Sequence, residues 1–203
     1  MLRSFSLPQQ AMDALWGKLG LGQHVFPFTV PDGPRNGAET PSPDVERALT
    51  LLAGSQRAVA VCGVLAGGRN LLARVAVKGE QAVLAVHQAE RFFFQFIYPE
   101  SVERECVHLL PRERAAPGVA VASDLHAAQA IFARPRLRSG YFTAFARGRD
   151  GRERQLGTLA WIDNADGRYC MTEQGRRQGT VAPADDANLT RQLSELLTRH
   201  FVG

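Results

Sequence analysis

The chain has 203 residues, 45% of them hydrophobic and 22% charged, with a formal net charge of +4. That length and balance suit a soluble globular protein with a real core, and they exclude a membrane-spanning helix, because no run of about 18 apolar residues occurs. The positive charge is arginine, lysine occurring only at Lys18 and Lys78.

The opening "MLRSFSLPQQAMDALW" has no apolar core of signal-peptide length and no small-residue cleavage site, so a cytosolic N-terminus is expected. Residues 8–20 place Ala11, Leu15, Trp16 and Leu19 on one helical face, with Pro8 in the first turn and Gly20 at the end. "HVFPFTVP" (24–31) is expected as a short edge strand on account of its prolines, and 32–43 as a Gly- and Pro-dense loop. "PDVERALTLLA" (43–53) predicts a helix capped by Ser42 or Asp44, with Val45, Leu49 and Leu52 inward. Four apolar runs follow at 57–65, 70–78, 81–88 and 91–98, separated by "AGGR", "GE" and "AE", the punctuation of an antiparallel meander. A helix is expected at about 100–110.

The order then repeats: a helix at 123–133, strands at 140–148, 154–163, 168–174 and 177–183, and a closing helix at 185–200. Asp44, Ala48, Leu51, Leu52 and Ala53 match Asp124, Ala128, Ile131, Phe132 and Ala133 at one offset. "ARVAV" (73–77) lies over "GTLAW" (157–161), and Pro99 over Pro183. The chain therefore reads as an internal repeat of two units of about 75 to 85 residues. It is taken as one domain, 1–203, made of related halves at about 1–112 and 113–203. The expected fold is α+β: a quasi-twofold repeat with a large central antiparallel sheet, and helices at its ends and on one face.

Catalytic signatures are missing. The five histidines are scattered, there is no His-Glu-x-x-His and no Gly-x-Ser-x-Gly, and "AGGRN" (66–70) lacks the ending of a phosphate cradle. Cys62, Cys106 and Cys170 are odd in number and lie among apolar neighbours, so buried reduced thiols are expected. Asp163 and Asp166 in "IDNADGR" read as an Asx-rich turn with Gly167 at positive φ, and Asp185–Asp186 as charge at a helix N-terminus. No cofactor or metal is expected, and the chain is read as not an enzyme. Two features remain. "RFFFQFIY" (91–98) is apolar on both faces, which means either a covered central strand or a docking surface. Residues 134–154 hold seven arginines against Asp150 and Glu153, interleaved with Tyr141, Phe142 and Phe145, which leaves open a nucleic-acid or anionic-ligand module.

Four segments carry a resemblance: "ALWGKLGLGQHVFPFTV", "PDVERALTLLAGSQRAVAV", "LLARVAVKGEQAVLAV" and the ending "GRYCMTEQGRRQGTVAPADDANLTRQLSELL". The whole chain resembles the EspG family, cytosolic substrate-specific chaperones of the actinobacterial type VII (ESX) secretion systems. The resemblance implies a quasi-twofold fold and a PE/PPE heterodimer as partner. In the family the tip of the PPE protein is gripped by the central sheet, the loop between its second and third strands, and the C-terminal helical bundle. Here that loop is Leu65 to Asn70, with Gly67, Gly68 and Arg69 at its tip, and the bundle includes the helix from Asp186 to His200. Arg69, Phe94 and Leu196 are the candidate anchors. The chain departs from the family in the short stretch 32–43, where members usually carry extra helical sequence. A homodimer through an unsatisfied sheet edge is also compatible with the pattern.

Overall fold

The computed structural model describes residues 3–28, 40–124, 134–174 and 178–198. A short strand, β1 (Ser4–Pro8), leads into α1 (Gln9–Lys18) and α2 (Pro43–Ala53). Four strands then run as a meander: β2 (Arg57–Val64), β3 (Asn70–Lys78), β4 (Gln81–Gln88) and β5 (Arg91–Ile97), followed by α3 (Val102–His108). The second half has β6 (Val121–Asp124), β7 (Arg138–Arg147), β8 (Glu153–Asn164), β9 (Gly167–Gln174), β10 (Gln178–Pro183) and α4 (Asp186–Thr198).

All ten strands form one antiparallel sheet in the order β1-β5-β4-β3-β2-β7-β8-β9-β10-β6. Read outward from the centre, each half is a meander closed by the strand that opens that half. In the β2–β7 ladder Val59 pairs with Ala144 and Ala60 with Thr143, and the order of strands is symmetric about this join.

The sheet is thick with apolar side chains on both faces because its central strands carry them in both phases: β2 is buried from Ala58 through Cys62. On one face α3 and α4 cover the centre, with Val102, Cys106, Val107, Leu189, Leu193 and Leu197 packed on Val59, Val61, Phe142 and Leu159. The leucines of α4 recur every fourth residue, the stripe expected of a helix with one buried side. On the opposite face α1 and α2 cover the outer strands of the first half, with Met12, Trp16, Leu49 and Leu52 against Ala76, Val83, Phe92 and Phe94. Ser42 caps α2, its Oγ accepting from the Val45 N–H at 3.4 Å.

Three expectations are corrected. Residues 24–28 form no strand. They cross the sheet face instead, because Phe28 is drawn into the core edge-on to Phe92 (centroids 4.9 Å apart) and the Phe26 carbonyl accepts from Arg74 Nη1 at 2.8 Å. The edge strand is β1, whose alternation of Ser4 and Ser6 with Phe5 and Leu7 is only five residues long. Asp124 ends β6 rather than sitting in a helix from 123, and the rest of the expected 123–133 helix lies outside the described residues, as does most of loop 32–43.

The linker between the halves is held by a buried ion-pair cluster. Arg168 Nε donates to Asp163 Oδ1 at 2.7 Å and its Nη2 to Oδ2 at 3.0 Å, a two-pronged pair in which both residues are fully buried. The same guanidinium reaches Asp186 Oδ1 at the start of α4 (3.0 Å) and the Pro111 carbonyl (2.7 Å). Arg138 adds a second cation, 3.0 Å from Asp163 Oδ2 and paired with Glu113. The Arg168 backbone is used as fully: its N–H donates to the Arg114 carbonyl, and its carbonyl accepts from Ala116 and Ala184. Gly167, at φ 129°, lets this happen, since a Cβ there would sit 2.8 Å from the Arg114 oxygen. Asn164 Oδ1 accepts from the Asp166 N–H (2.9 Å), so the turn read from "IDNADGR" is present, with Asp163 additionally an internal anion. Removing the cation from Asp163 leaves a buried charge with one partner. Arg168→Met should cost about 3–5 kcal/mol in urea denaturation. Arg191→Ala, which breaks the exposed pair with Glu195, should change stability by about 0–1 kcal/mol.

Candidate functional site

The connection between β2 and β3 is a tight, self-closed turn. The Leu65 N–H donates to the Arg69 carbonyl (2.8 Å) and the Gly68 N–H to the Leu65 carbonyl (3.1 Å). Gly67 and Gly68 take positive φ (73° and 74°), and Cβ atoms placed there would meet nothing. Gly67, Gly68, Arg69 and Asn70 are exposed, whereas Leu65 is half-buried against the apolar cluster under α3 and α4. Leu196 borders the same cluster and presses on β8 at Gly157, whose missing side chain makes room for it. Leu65 to Asn70 thus form one exposed projection, with Leu196 on the same face of the sheet.

Phe94 does not join them. It is 2% exposed, lies on the opposite face, and stacks on Phe5 with centroids 4.9 Å apart. The doubly apolar run is resolved by parity: Phe92, Phe94 and Phe96 are core beneath α1 and α2, while Phe93, on the other face, and Tyr98, at the end of the run, are exposed. Phe94 is therefore a core residue and is removed from the candidate surface.

Sequence reasoning missed three residues beside the loop. Val64, Leu137 and Tyr141 are 48%, 56% and 38% exposed. Val64 pairs with Ser139, and Tyr141 lies opposite Cys62, so the three flank the loop at the centre of the sheet. Nothing in the apolar runs that contain Val64 and Tyr141 separates them from core; only the sheet order shows that their end is uncovered. On the helical face an open groove of about 630 Å³ separates α3 from α4, lined by Arg104, Val107, His108, Thr190, Arg191 and Glu195 among others.

The arginines of 134–154 are largely spent within the fold. Arg134 pairs with Asp166, Arg138 with Glu113 and Asp163, and Arg154 with Asp150. Arg147 donates to the carbonyls of Ala53, Ser55 and Gly151, closing the C-terminus of α2. Tyr141, Phe142 and Phe145 make no common stacking platform: Phe142 is buried under α3 and α4, while Phe145 lies on the other face beneath Arg74. Arg74 is itself buried, held by Phe26 and Glu153; burial pulls its pKa down and Glu153 opposes that.

The remaining titratable groups have packing roles. All three cysteines are buried and unbridged, burial pushing each thiol up, Cys170 to about 11. His87 hydrogen-bonds Gln9 Oε1 (3.1 Å) and stacks on Phe92. Among the described residues no group of three His, Cys, Asp or Glu side chains could hold a metal ion, and no helix is long and apolar enough to cross a membrane. Exposure separates the candidates in a direct way. Arg69→Ala should leave the melting midpoint where it is, within about 0.5 kcal/mol, whereas Phe94→Ala should cost about 3–5 kcal/mol; thermal denaturation of both variants checks the pair.

A family model described as the EspG family matches residues 35–122 and 120–195. Among curated protein sequences none matches. Among solved structures the chain is similar to one described as the Mycobacterium tuberculosis type VII secretion system chaperone EspG5 in complex with PE25-PPE41 dimer. The TM-score is 0.74 at 13% identity, over 97% of this chain and 98% of that one. At that identity the likeness speaks for the fold.

Proposed function

The chain belongs to the EspG family, and on that premise we propose that it is a non-enzymatic cytosolic chaperone for a type VII (ESX) secretion substrate. The client is a helical PE/PPE-like heterodimer, which the protein keeps soluble and delivers for export. The observation that carries this reading is the exposed β2–β3 projection, Leu65 to Asn70, standing at the middle of a sheet of the EspG5 type with unburied Val64, Leu137 and Tyr141 beside it. The chain acts as one domain of two related halves, about 1–112 and 113–203.

The mechanism is capping. A helical tip bearing apolar side chains aggregates unless those side chains are covered, and a specific interface that covers them buries roughly 1,200–2,000 Å². The apolar residues at the centre of this sheet supply area. Arg69 supplies direction: a guanidinium beside an apolar surface suits the carbonyl-rich C-terminal end of a client helix, where partial negative charge accumulates. Leu196 seats α4 on β8 on the face opposite to Val64 and Tyr141, so it contributes from the helical side of the loop rather than by protruding beside them. Binding energy in such an interface concentrates in a few anchors, and Arg69 with Tyr141 are those expected here.

The test is co-expression of the tagged chain with the helical PE/PPE-like pair encoded beside its gene. A soluble, stoichiometric ternary complex is expected, with Arg69→Ala weakening it by roughly tenfold or more. A pair that stays insoluble while this chain purifies alone would overturn the proposal. Retention of the client by Arg69→Ala at unchanged affinity would sink the assignment of the loop.

A further inference from the structure

The central strands have two ends, and the β2–β3 projection occupies one of them. At the other end, beyond Arg57 and Ala146, stands the β7–β8 hairpin, 148–152. β2 is eight residues long, so roughly 25 Å of strand separates the two turns. Around this hairpin Arg147, Arg149, Arg152 and Arg154 stand against only Asp150 and Glu153.

The tip is built without the side chains of two of these arginines. The Gly148 N–H donates to the Arg152 carbonyl (2.9 Å), the Gly151 N–H to the Gly148 carbonyl (3.0 Å), and the Arg152 N–H to Asp150 Oδ1 (3.1 Å). Arg147 braces the tip from below. Its guanidinium joins the Gly151 carbonyl (2.6 Å) to those of Ala53 (2.7 Å) and Ser55 (2.9 Å) at the end of α2, where Lys78 Nζ also lies, beside Gly54. The partial negative charge of that helix end is thereby answered. Both acids are taken as well, Asp150 by Arg154 at 2.8 Å and Glu153 by the buried Arg74. Arg149 and Arg152 are left over: both are exposed, and among the described residues neither side chain meets a carboxylate or a carbonyl. Two like charges held on one braced tip add nothing to the fold and repel one another.

We propose that the β7–β8 hairpin is a second docking site, taking a carboxylate-rich segment of a partner protein through Arg149 and Arg152. A guanidinium meets a carboxylate in two parallel hydrogen bonds, and a tip already braced by Arg147 has little backbone left to order when the partner arrives. A nucleic acid fits this end less well. Its bases need aromatic faces to stack on, but Phe142 lies under α3 and α4, Phe145 lies beneath Arg74, and Tyr141 opposes Cys62 toward the other end of the strands. Asp150 also stands between the two arginines, where it repels a phosphate backbone. Because the hairpin lies at the far end from Leu65–Asn70, an acidic partner can hold the chain while a client occupies the projection. The site goes beyond the client reading and stands whether or not that reading does.

Fluorescence anisotropy of a labelled polyglutamate peptide, titrated with the full chain at low ionic strength, tests this, with a single-stranded oligothymidine of equal charge for comparison. The chain should bind the peptide, and added salt should weaken the complex, as it does for exposed charges. Arg149→Gln together with Arg152→Gln should raise the peptide Kd by roughly tenfold, two exposed pairs being lost at once, with the melting midpoint unchanged. Arg112→Gln together with Arg136→Gln removes the same net charge from exposed positions at the opposite end and should bind like the wild type. Three results overturn the proposal: no peptide binding at low ionic strength, an equal loss in both double variants, which means that only overall charge is being read, or tighter binding of oligothymidine than of the peptide through the same two arginines.

Discussion

The buried pairing of Arg168 with Asp163 is the constraint on which the second half of the molecule hangs. Two opposite charges fully out of water are tolerable only when nearly every donor and lone pair is answered, because the desolvation cost of each ion is several kcal/mol. Here the answers come from separate parts of the chain: Pro111 and Glu113 in the linker, Arg138 at the start of β7, and Asp186 at the head of α4. The cluster therefore works as a junction. It sets where the linker leaves the first half, where β7 begins and where the closing helix docks, and an error in any one exposes a charge in the interior.

Away from that junction the architecture follows from repetition. Each half is a four-stranded meander with a fifth strand at its rim, and the two join through β2 and β7. Gly63 and Gly140 face each other near one end of that join, where a Cβ on Gly140 would fall 2.2 Å from the Cys62 oxygen and 2.9 Å from the Trp161 ring. The indole sets its Cζ2 atom against both glycines and fills the space they leave. The close approach of the halves at this point depends on the absence of two methyl groups.

Much of this was legible from residue order. Hairpin punctuation placed eight strands and the periodic leucines placed α4, because both signals are local. The two successive meanders were legible because the same punctuation recurs in both, down to Pro99 and Pro183 at the end of the last strand of each. What was not legible is what depends on partners distant in sequence. β1 is five residues long and becomes a strand only through β5. Residues 24–28 look like a strand until Phe28 and the Phe26 carbonyl find Phe92 and Arg74. Asp163 reads as a turn residue, and its burial is visible only once Arg168 and Arg138 converge on it. The candidate site divides in the same way. The loop is legible as a turn because its glycines announce one, and the family resemblance is what gives that turn its proposed role. Phe94 was misplaced because a run apolar on both faces does not say which face is roofed by helices.

The β2–β3 turn has one more property that bears on its use. Its hydrogen bonds run from Leu65 to Arg69 and Gly68, within the turn itself, and Cβ atoms on its two tip glycines would touch nothing. Lengthening such a segment strains no neighbour, and its entropic penalty grows only by about 0.6 kcal/mol per doubling. A lineage can therefore insert or delete residues here without renegotiating the sheet. Change in the proposed recognition element is mechanically uncoupled from the scaffold that must keep folding.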